Sequence, residues 1–341
     1  MIILGIETSC DETAAAVVRS DGEILSNVIY SQIKEHRPYG GVVPEIAARN
    51  HLAYLNQVIE EALTKASLTI DKVDGIAVTA GPGLIGGVMV GVMAAKAIAA
   101  VHNKPFIAVN HLEGHALTAC LTNKVGFPFI LLLISGGHCQ FIHAKSLGDY
   151  EVLGQTIDDA VGEAFDKVAQ LLDLDYPGGP QIETLAKAGD ETRFSLPHPL
   201  RGRPGCDLSF SGLKTAVRTL VETLSPLSKK DKADIAASFQ KTIADTLCNR
   251  LENCLNSHGK GVENLVVAGG VAANLYLREK LQMTAIQAQK KLVVPPPALC
   301  TDNAVMIAWA GVERLQAGYV SSLEFAPRPR WPLAEMKAEN K

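Results

Sequence analysis

Aromatic residues are scarce in this sequence. Phe, Trp and Tyr together make up 5% of its 341 residues, whereas Gly alone occurs 29 times. Small residues must therefore fill much of any core, as expected where helices lie close to a sheet. Hydrophobic residues account for 47% and charged residues for only 20%, a balance too apolar for a disordered chain. A chain of this length is long for one core, so two domains are expected.

An excess of positive charge is also missing, because the formal net charge is −4. A nucleic-acid partner would have to be held by a local basic patch and not by the surface as a whole. The basic clusters that can be seen are Arg201, Arg203, Lys214, Lys229 and Lys230, with Arg328 and Arg330 near the C-terminus. An ordinary charged surface explains these clusters, and contact with an RNA backbone is the alternative interpretation.

Cysteine pairs of the C-x-x-C type are absent, and the seven cysteines follow no regular spacing. This pattern predicts reduced thiols in a cytoplasmic protein and not a disulfide framework. The N-terminus lacks the basic region and cleavage site of a signal peptide. Leu84–Val101 approaches membrane length, but its glycines and Lys96 predict a buried α/β helix. We therefore expect a cytoplasmic location and no membrane partner.

Segments rich in β-forming residues occur in two groups, each followed by helical patterns. The first group comprises Ile2–Glu7, Thr13–Arg19 and Glu23–Tyr30, and the second comprises Phe127–Ile134, Cys139–Ala144 and Tyr150–Gln155. The order of elements predicts an α/β fold with duplicated mixed sheets covered by helices. We predict lobe I at 1–110 plus 295–325, lobe II at 111–294, and a C-terminal tail at 326–341.

Two histidines four positions apart, His111 and His115, follow the strand-like segment 105–109. If the chain is helical here, both imidazoles share one face and can reach the same ion. Asp302, far along the chain, is the candidate third ligand. Two His and one carboxylate form a metal site with open positions, suited to iron or zinc. The alternative is a pair of solvated histidines at a helix start.

Three polar turns each follow a predicted strand. They are Glu7–Thr13, Ile134–His138 and Ala268–Asn274. Their glycines let backbone N–H groups approach an anion, and the carboxyl ends of strands are where α/β sheets bind ligands. A nucleotide-type ligand is therefore expected, although none of the turns is a Walker loop or a G-x-G-x-x-G fingerprint. The alternative is that they are tight connections only.

Carboxylates also gather at the start of the predicted helix Asp158–Leu172. Favourable charge near a helix N-terminus explains most of them, and Asp166 has the alternative role of binding ribose hydroxyls. The glycine- and proline-rich string Pro177–Pro180 predicts a sharp loop, and Phe194–Gly212 predicts an irregular segment.

Taken together, these segments resemble the tRNA N6-adenosine threonylcarbamoyltransferase family. The resemblance runs nearly end to end, with Ala272 and Ala304 as minor departures. The matching strings are Gly5–Thr13, Tyr39–Glu45, Gly81–Gly86, Asn110–His115, Ser135–His138, Gly162–Lys167, Tyr176–Pro180, Phe210–Lys214, Gly269–Asn274, Thr301–Asn303 and Arg328–Pro332.

This resemblance implies a two-lobed actin/hexokinase/Hsp70-like fold and a set of site residues. His111, His115 and Asp302 are implied as ligands of one divalent metal, Fe²⁺ or alternatively Zn²⁺. Asp11 and Glu12 are implied as catalytic residues that orient the reacting groups. The residues implied to bind the substrate are Ile134, Ser135, Gly136, Gly137, His138, Asp166, Gly179 and Asn274.

The activity implied by the resemblance is transfer of a threonylcarbamoyl group from threonylcarbamoyl-AMP to N6 of a tRNA adenosine beside the anticodon. The implied partners are tRNA and helper proteins, which include an inactive paralogue and a small ATPase.

Three alternatives remain open from the residues alone. A metalloprotease is indicated by His111-Leu-Glu-Gly-His115, but a zincin has Glu directly after the first His. A small-molecule kinase of the same fold would use the polar turns but not the histidines. A non-catalytic Hsp70-like partner protein is the third.

Overall fold

The computed structural model describes residues 1–338, which contain ten strands and ten α-helices. The strands are β1 Ile2–Glu7, β2 Glu12–Arg19, β3 Ile24–Ser31, β4 Gly75–Gly81, β5 Phe106–Asn110, β6 Phe129–Ile134, β7 Cys139–Ser146, β8 Asp149–Gln155, β9 Asn264–Ala268 and β10 Lys291–Val293. The helices are α1 Ile33–His36, α2 Pro44–Lys65, α3 Ile85–Val101, α4 His111–Asn123, α5 Val161–Leu171, α6 Gly178–Ala186, α7 Ser211–Leu224, α8 Lys229–His258, α9 Leu275–Gln287 and α10 Ala304–Gln316. The predicted order of strands is thus recovered in both halves of the chain, whereas helices α6 and α7 were not predicted.

Two compact units divide the described chain. The first contains residues 1–126, 145–150 and 301 onward, and the second contains residues 127–144 and 151–300. Helix α4 falls in the first unit, whereas the sequence-based division, which stays a prediction, begins the second lobe at residue 111. Packing of α4 against α10 accounts for this placement. Of the predicted tail 326–341, the last three residues lie outside the described part of the chain.

The first unit is built on a five-stranded sheet in the order β3-β2-β1-β4-β5. The β1 strand pairs antiparallel with β2 and parallel with β4, which pairs parallel with β5. The carboxyl ends of β1, β4 and β5 therefore lie at the same edge. Helix α10 packs very closely on β1, because a Cβ at Gly5 would lie 2.5 Å from the carbonyl oxygen of Ala304.

The second unit repeats this plan with a sheet in the order β10-β9-β6-β7-β8. The β6 strand pairs antiparallel with β7 and parallel with β9, which pairs parallel with β10. Every residue of β6 is buried, as expected of an apolar strand covered on both faces. The predicted fold class of two mixed sheets covered by helices is confirmed.

Helix α3 corresponds to the one apolar segment that approaches membrane length. One of its faces is buried, whereas Ile85, Met89 and Met93 are at least half exposed on the other, so the predicted burial holds for one face of the helix. No helix within residues 1–338 is both long enough and apolar enough to cross a bilayer.

Candidate functional site

The two histidines stand at the point where β5 ends and α4 begins. The Asn110 side chain accepts a hydrogen bond from the Leu112 N–H at 2.9 Å, which caps the helix and makes His111 its first residue. His111 and His115 therefore lie one turn apart, with ring centroids separated by 4.8 Å. Their exposed fractions are 6% and 1%, which excludes the alternative of two solvated histidines.

Asp302 meets this pair from the residues that precede α10. Its Oδ1 lies 3.1 Å from Nε2 of His115 and 3.4 Å from Nε2 of His111. One ligand atom from each residue lies within 4.8 Å of the others. Two imidazole nitrogens and a carboxylate oxygen are the donors preferred by Fe²⁺ and Zn²⁺. The residues that the sequence nominated thus come together and fit a divalent cation.

A second carboxylate, that of Glu7, touches the same cluster. Glu7 ends β1, and its Oε2 lies 3.0 Å from Nδ1 of His111. The hydroxyl of Thr79, in the neighbouring strand β4, donates to the same oxygen. The sequence placed Glu7 only in a polar turn. One signal could have indicated its role: Glu7 is an acidic residue at the end of an otherwise apolar strand. That strand runs parallel to β5, the strand before His111, so their carboxyl ends lie at the same edge of the sheet.

The ionisable side chains of this cluster shift one another's pKa values. Burial raises the pKa of Asp302, but His111 and His115 outweigh burial and hold that pKa well below its ordinary value. Burial lowers the pKa of His111, but Asp302 and Glu7 reverse this effect and raise it well above its ordinary value. The two carboxylates therefore stabilise a positive charge placed between them. A divalent cation can supply that charge in place of a proton on His111.

Asp11 lies in the turn that joins β1 to β2, and Glu12 is the first residue of β2. Burial, together with the charges of Asp11 and Asp302, raises the pKa of Glu12 well above its ordinary value. The turn is held by His51 of α2, whose Nε2 donates to the carbonyl oxygen of Cys10 at 2.9 Å. The His51 Nδ1 accepts from the Thr13 hydroxyl at 2.8 Å. Sequence reasoning missed His51, because Thr13 and Cys10, its partners in these two hydrogen bonds, are 38 and 41 positions away.

In the second unit, two of the predicted turns meet at the carboxyl ends of β6 and β9. The turn Ile134–His138 is closed by a hydrogen bond from the His138 N–H to Oγ of Ser135 at 3.1 Å. Gly269 has a φ of +95°, and a Cβ there would lie 2.4 Å from the carbonyl oxygen of Ile134. Gly136 and Gly137 are exposed and face open space. Their backbone is therefore accessible to a ligand.

Asp166 and Gly179 stand at the start of α6. The Asp166 carboxylate accepts the Gly178 N–H at 2.7 Å and so caps this helix from α5. The sharp loop predicted at Pro177–Pro180 is wrong, since α6 begins at Gly178. Proline is tolerated in the first turn of a helix, where no intrahelical donor is needed. Gly179 faces open space beside this cap.

Asn274 caps α9, since its side-chain oxygen accepts the Leu277 N–H at 3.0 Å. Its amide donates to Oε1 of Gln240 at 2.9 Å. The side chain is thus held firmly at the start of α9, and its contact with a nucleoside stays a prediction.

The predicted helix start at Asp158 is wrong, because α5 begins at Val161.

The sequence profile of the tRNA N6-adenosine threonylcarbamoyltransferase family matches residues 23–309. The Rhodospirillum rubrum protein of that name is 59% identical over 342 residues, covering 97% of this chain and 94% of the relative. The Paramagnetospirillum magneticum protein of the same name is 56% identical over 337 residues, covering 98% and 97%. This chain belongs to the tRNA N6-adenosine threonylcarbamoyltransferase family. The resemblance stated from the sequence is confirmed.

Solved structures similar to this member of the family establish its fold alone. Full-length HypF in its phosphate- and nucleotide-bound form superimposes with a TM-score of 0.62 and 14% identity, covering 94% of this chain and 47% of HypF. Component A of the Acidaminococcus fermentans (R)-2-hydroxyglutaryl-CoA dehydratase gives a TM-score of 0.55 at 17% identity, covering 93% and 99%. The actin/hexokinase/Hsp70-like class is thereby confirmed.

Glu113, which separates the two histidines, is not part of the metal cluster. It is fully buried, and its Oε2 pairs with Nη1 of Arg314 at 2.9 Å. Its Oε1 accepts the Tyr150 hydroxyl at 3.1 Å. A metalloprotease needs a carboxylate that activates water beside the metal. This glutamate is already engaged on both oxygens, so the protease alternative is not favoured.

Proposed function

We propose that this chain transfers the threonylcarbamoyl group of threonylcarbamoyl-AMP to N6 of the adenosine next to the anticodon. The acceptors are tRNAs that read codons beginning with adenine. The observation that carries the proposal is 59% identity over 97% of the chain to a protein named tRNA N6-adenosine threonylcarbamoyltransferase. The buried cluster of His111, His115 and Asp302 supports it independently, because neither a kinase nor a chaperone-like partner explains such a cluster.

The reaction is an acyl transfer without a covalent enzyme intermediate. The N6 nitrogen attacks the carbamoyl carbon, the bond from that carbon to the phosphate oxygen breaks, and AMP leaves with the electron pair. One of the two N6 protons is released to solvent water as the new carbon–nitrogen bond forms. Because the exocyclic amine is a weak nucleophile and AMP is a good leaving group, catalysis depends on positioning and on polarising the carbonyl.

We assign His111, His115 and Asp302 as the residues that hold one divalent cation, Fe²⁺ or Zn²⁺. When bound, such a cation supplies Lewis acidity for a carbonyl oxygen. Asp11 and Glu12 are assigned to orienting the reacting groups, since they lie where β1 turns into β2 and the charge of Asp302 acts on Glu12. The rigid hydrogen bonds of His51 to that turn support this assignment.

The second unit supplies the assigned substrate contacts. The turn of Ile134, Ser135, Gly136, Gly137 and His138 presents exposed backbone beside the glycine turn after β9. Asp166, Gly179 and Asn274 are assigned to the nucleoside, a role supported by the Asp166 carboxylate and Gly179 at the start of α6 and by Asn274 at the start of α9. The proposal includes tRNA, an inactive paralogue and a small ATPase as partners, and a cytoplasmic location.

The test is mass spectrometry of tRNA nucleosides after incubation with the purified chain, its helper proteins, threonine, bicarbonate and ATP. Threonylcarbamoyladenosine should form with the wild type and should be abolished by His111→Ala and Asp302→Ala. His258→Ala, at the exposed end of α8, is the matched control and should retain activity. Absence of product with the wild type would contradict the transfer. Undiminished product with both ligand variants would contradict only the metal assignment.

A further inference from the structure

Glu7 has no exposed surface, yet both oxygens of its carboxylate have hydrogen-bonding partners. Its Oε1 accepts the Ser9 N–H at 2.5 Å. Its Oε2 accepts from the Thr79 hydroxyl and lies 3.0 Å from Nδ1 of His111. A buried carboxylate is stable only when its oxygens are paired in this way. The Glu7 carboxylate is therefore held in a fixed position behind the cluster of His111, His115 and Asp302.

The contacts of His111 determine which of its ring nitrogens carries the proton. A carboxylate only accepts hydrogen bonds, so the proton of a neutral His111 lies on Nδ1 and points at Glu7. Nε2 then keeps its lone pair and faces Asp302, whose Oδ1 is 3.4 Å away. Ser9 is a second neighbour, with Oγ 3.1 Å from Nδ1, but an ionised acceptor forms the stronger bond.

We propose that Glu7 is a positioning residue for the metal centre. By accepting the His111 Nδ1 proton it holds the ring in the orientation and tautomer that offers Nε2 to a divalent cation. This inference rests on the proposed cation-binding role of His111, His115 and Asp302. Hydrogen-bonded partners of this kind orient ligand imidazoles and make them more basic.

The charge of Glu7 acts in the same direction as its geometry. With both histidines neutral, the carboxylates of Glu7 and Asp302 give the buried cluster two negative charges. A divalent cation balances these charges, whereas without Glu7 one of them is lost from a site that is screened little by water. Both effects predict weaker cation binding when the carboxylate becomes an amide.

The experiment is titration of the full chain with Co²⁺, followed by its visible absorption, and with Zn²⁺ in competition. Glu7→Gln should raise the Co²⁺ dissociation constant by about 10- to 100-fold and should alter the absorption spectrum. Ser9→Ala removes the competing neighbour of Nδ1 and should leave the Co²⁺ dissociation constant close to that of the wild type. Thr79→Val retains the carboxylate and is the matched control for a general disturbance of the Glu7 environment.

A double-variant cycle separates positioning from a structural effect. If Glu7 acts through His111, then Glu7→Gln should cause little further loss of Co²⁺ affinity in a His111→Ala background. An equal loss in both backgrounds, or wild-type affinity with a wild-type spectrum in Glu7→Gln, would overturn the inference. If Glu7→Gln does not fold, Glu7→Asp keeps the charge but withdraws the oxygen, and wild-type affinity in that variant would overturn it equally.

The two proposals fail in different ways. If the wild type binds neither Co²⁺ nor Zn²⁺, the metal role and this inference are both overturned, while threonylcarbamoyl transfer is judged from the nucleoside assay alone. If the wild type binds Co²⁺ and Glu7→Gln is unaffected, only the role of Glu7 is lost.

Discussion

The carboxylate of Glu113 and the guanidinium of Arg314 form an ion pair inside the first unit, with 2.9 Å between Oε2 and Nη1. The pair joins α4, which carries both histidines, to α10, which begins directly after Asp302 and Asn303. The two helices that deliver the candidate metal ligands are thus tied together by charges that water scarcely reaches.

Removal of this pair should be costly. Glu113→Ala leaves the Arg314 charge buried without its carboxylate, and we expect a loss of about 3–5 kcal/mol in the free energy of unfolding. Urea denaturation at neutral pH measures this loss. The control is Glu61→Ala, which breaks the exposed 2.7 Å pair with Lys65 in α2 and should cost about 0.5 kcal/mol or less. Equal losses in the two variants would contradict the buried pair's role.

Gly5 should tolerate no side chain. A Cβ would lie 2.5 Å from backbone atoms of both Ala304 and Ala308, so Gly5→Ala must push α10 away from β1. We expect a destabilisation of about 1–3 kcal/mol. Because α10 follows Asp302, the affinity for Co²⁺ should fall as well.

Gly212→Ala provides the comparison for Gly5→Ala. This glycine lies in α7, and no atom is within 4 Å of the Cβ position. The substitution should stabilise the protein by about 0.5–1 kcal/mol, because alanine loses less entropy in a helix. Thermal denaturation of the two variants should therefore shift in opposite directions, and a shift in the same direction would contradict the packing described.

Asp158 should make stability depend on acid. Burial raises the pKa of Asp158, but hydrogen bonds from Ser209, Phe210 and Ser211 outweigh burial and lower it below 3.8. The folded state therefore favours the ionised form, and its contribution is present above 3.8 and is lost as pH falls through the folded pKa. Asp158→Asn should be less stable than the wild type at pH 7 and should converge with it in acid.

Urea denaturation between about pH 2 and pH 7 would show this convergence. The control for Asp158→Asn is Glu60→Gln, at an exposed position of α2, which should follow the wild-type curve. A constant difference between Asp158→Asn and the wild type at every pH would count against the assignment.

Glu12 should act in the opposite direction. Burial and the Asp11 charge raise the pKa of Glu12 well above 4.5, so the folded state retains a proton that the unfolded chain releases. Its contribution to stability is complete below 4.5 and declines as pH rises toward the folded pKa. The side chain of Glu12→Gln is neutral at every pH. The melting temperature of this variant minus that of the wild type should therefore increase as pH rises. A gain that shrinks with rising pH would refute this sign.

Much of this arrangement could be read from local patterns. Apolar strands with polar turns predicted both sheets, and the His111–His115 spacing predicted one helical face. Asp302 could be nominated because a facial metal site needs a carboxylate. Pairings across long separations could not be read in this way. Nothing near Glu113 in the sequence indicates Arg314, and nothing near Glu7 indicates His111.

The helices that sequence reasoning missed have a related explanation. The glycines and prolines before α6 and α7 read locally as loops. In the structure, Asp166 supplies the cap for α6 and Asp158 accepts the N–H groups of Phe210 and Ser211 at the start of α7. Because these caps come from distant positions, the local pattern carries no trace of them.

The start of α4 depends on a segment that contributes no ligand. The Asn110 side chain, which caps that helix, also donates to the carbonyl oxygen of Trp331 at 2.8 Å. Three residues earlier, the Arg328 N–H donates to the carbonyl oxygen of Ala80 at 2.7 Å. A variant truncated before Arg328 would lose both of these hydrogen bonds, one of which holds the residue that caps α4. Loss of activity in such a variant would therefore not show that the C-terminal segment takes part in the reaction.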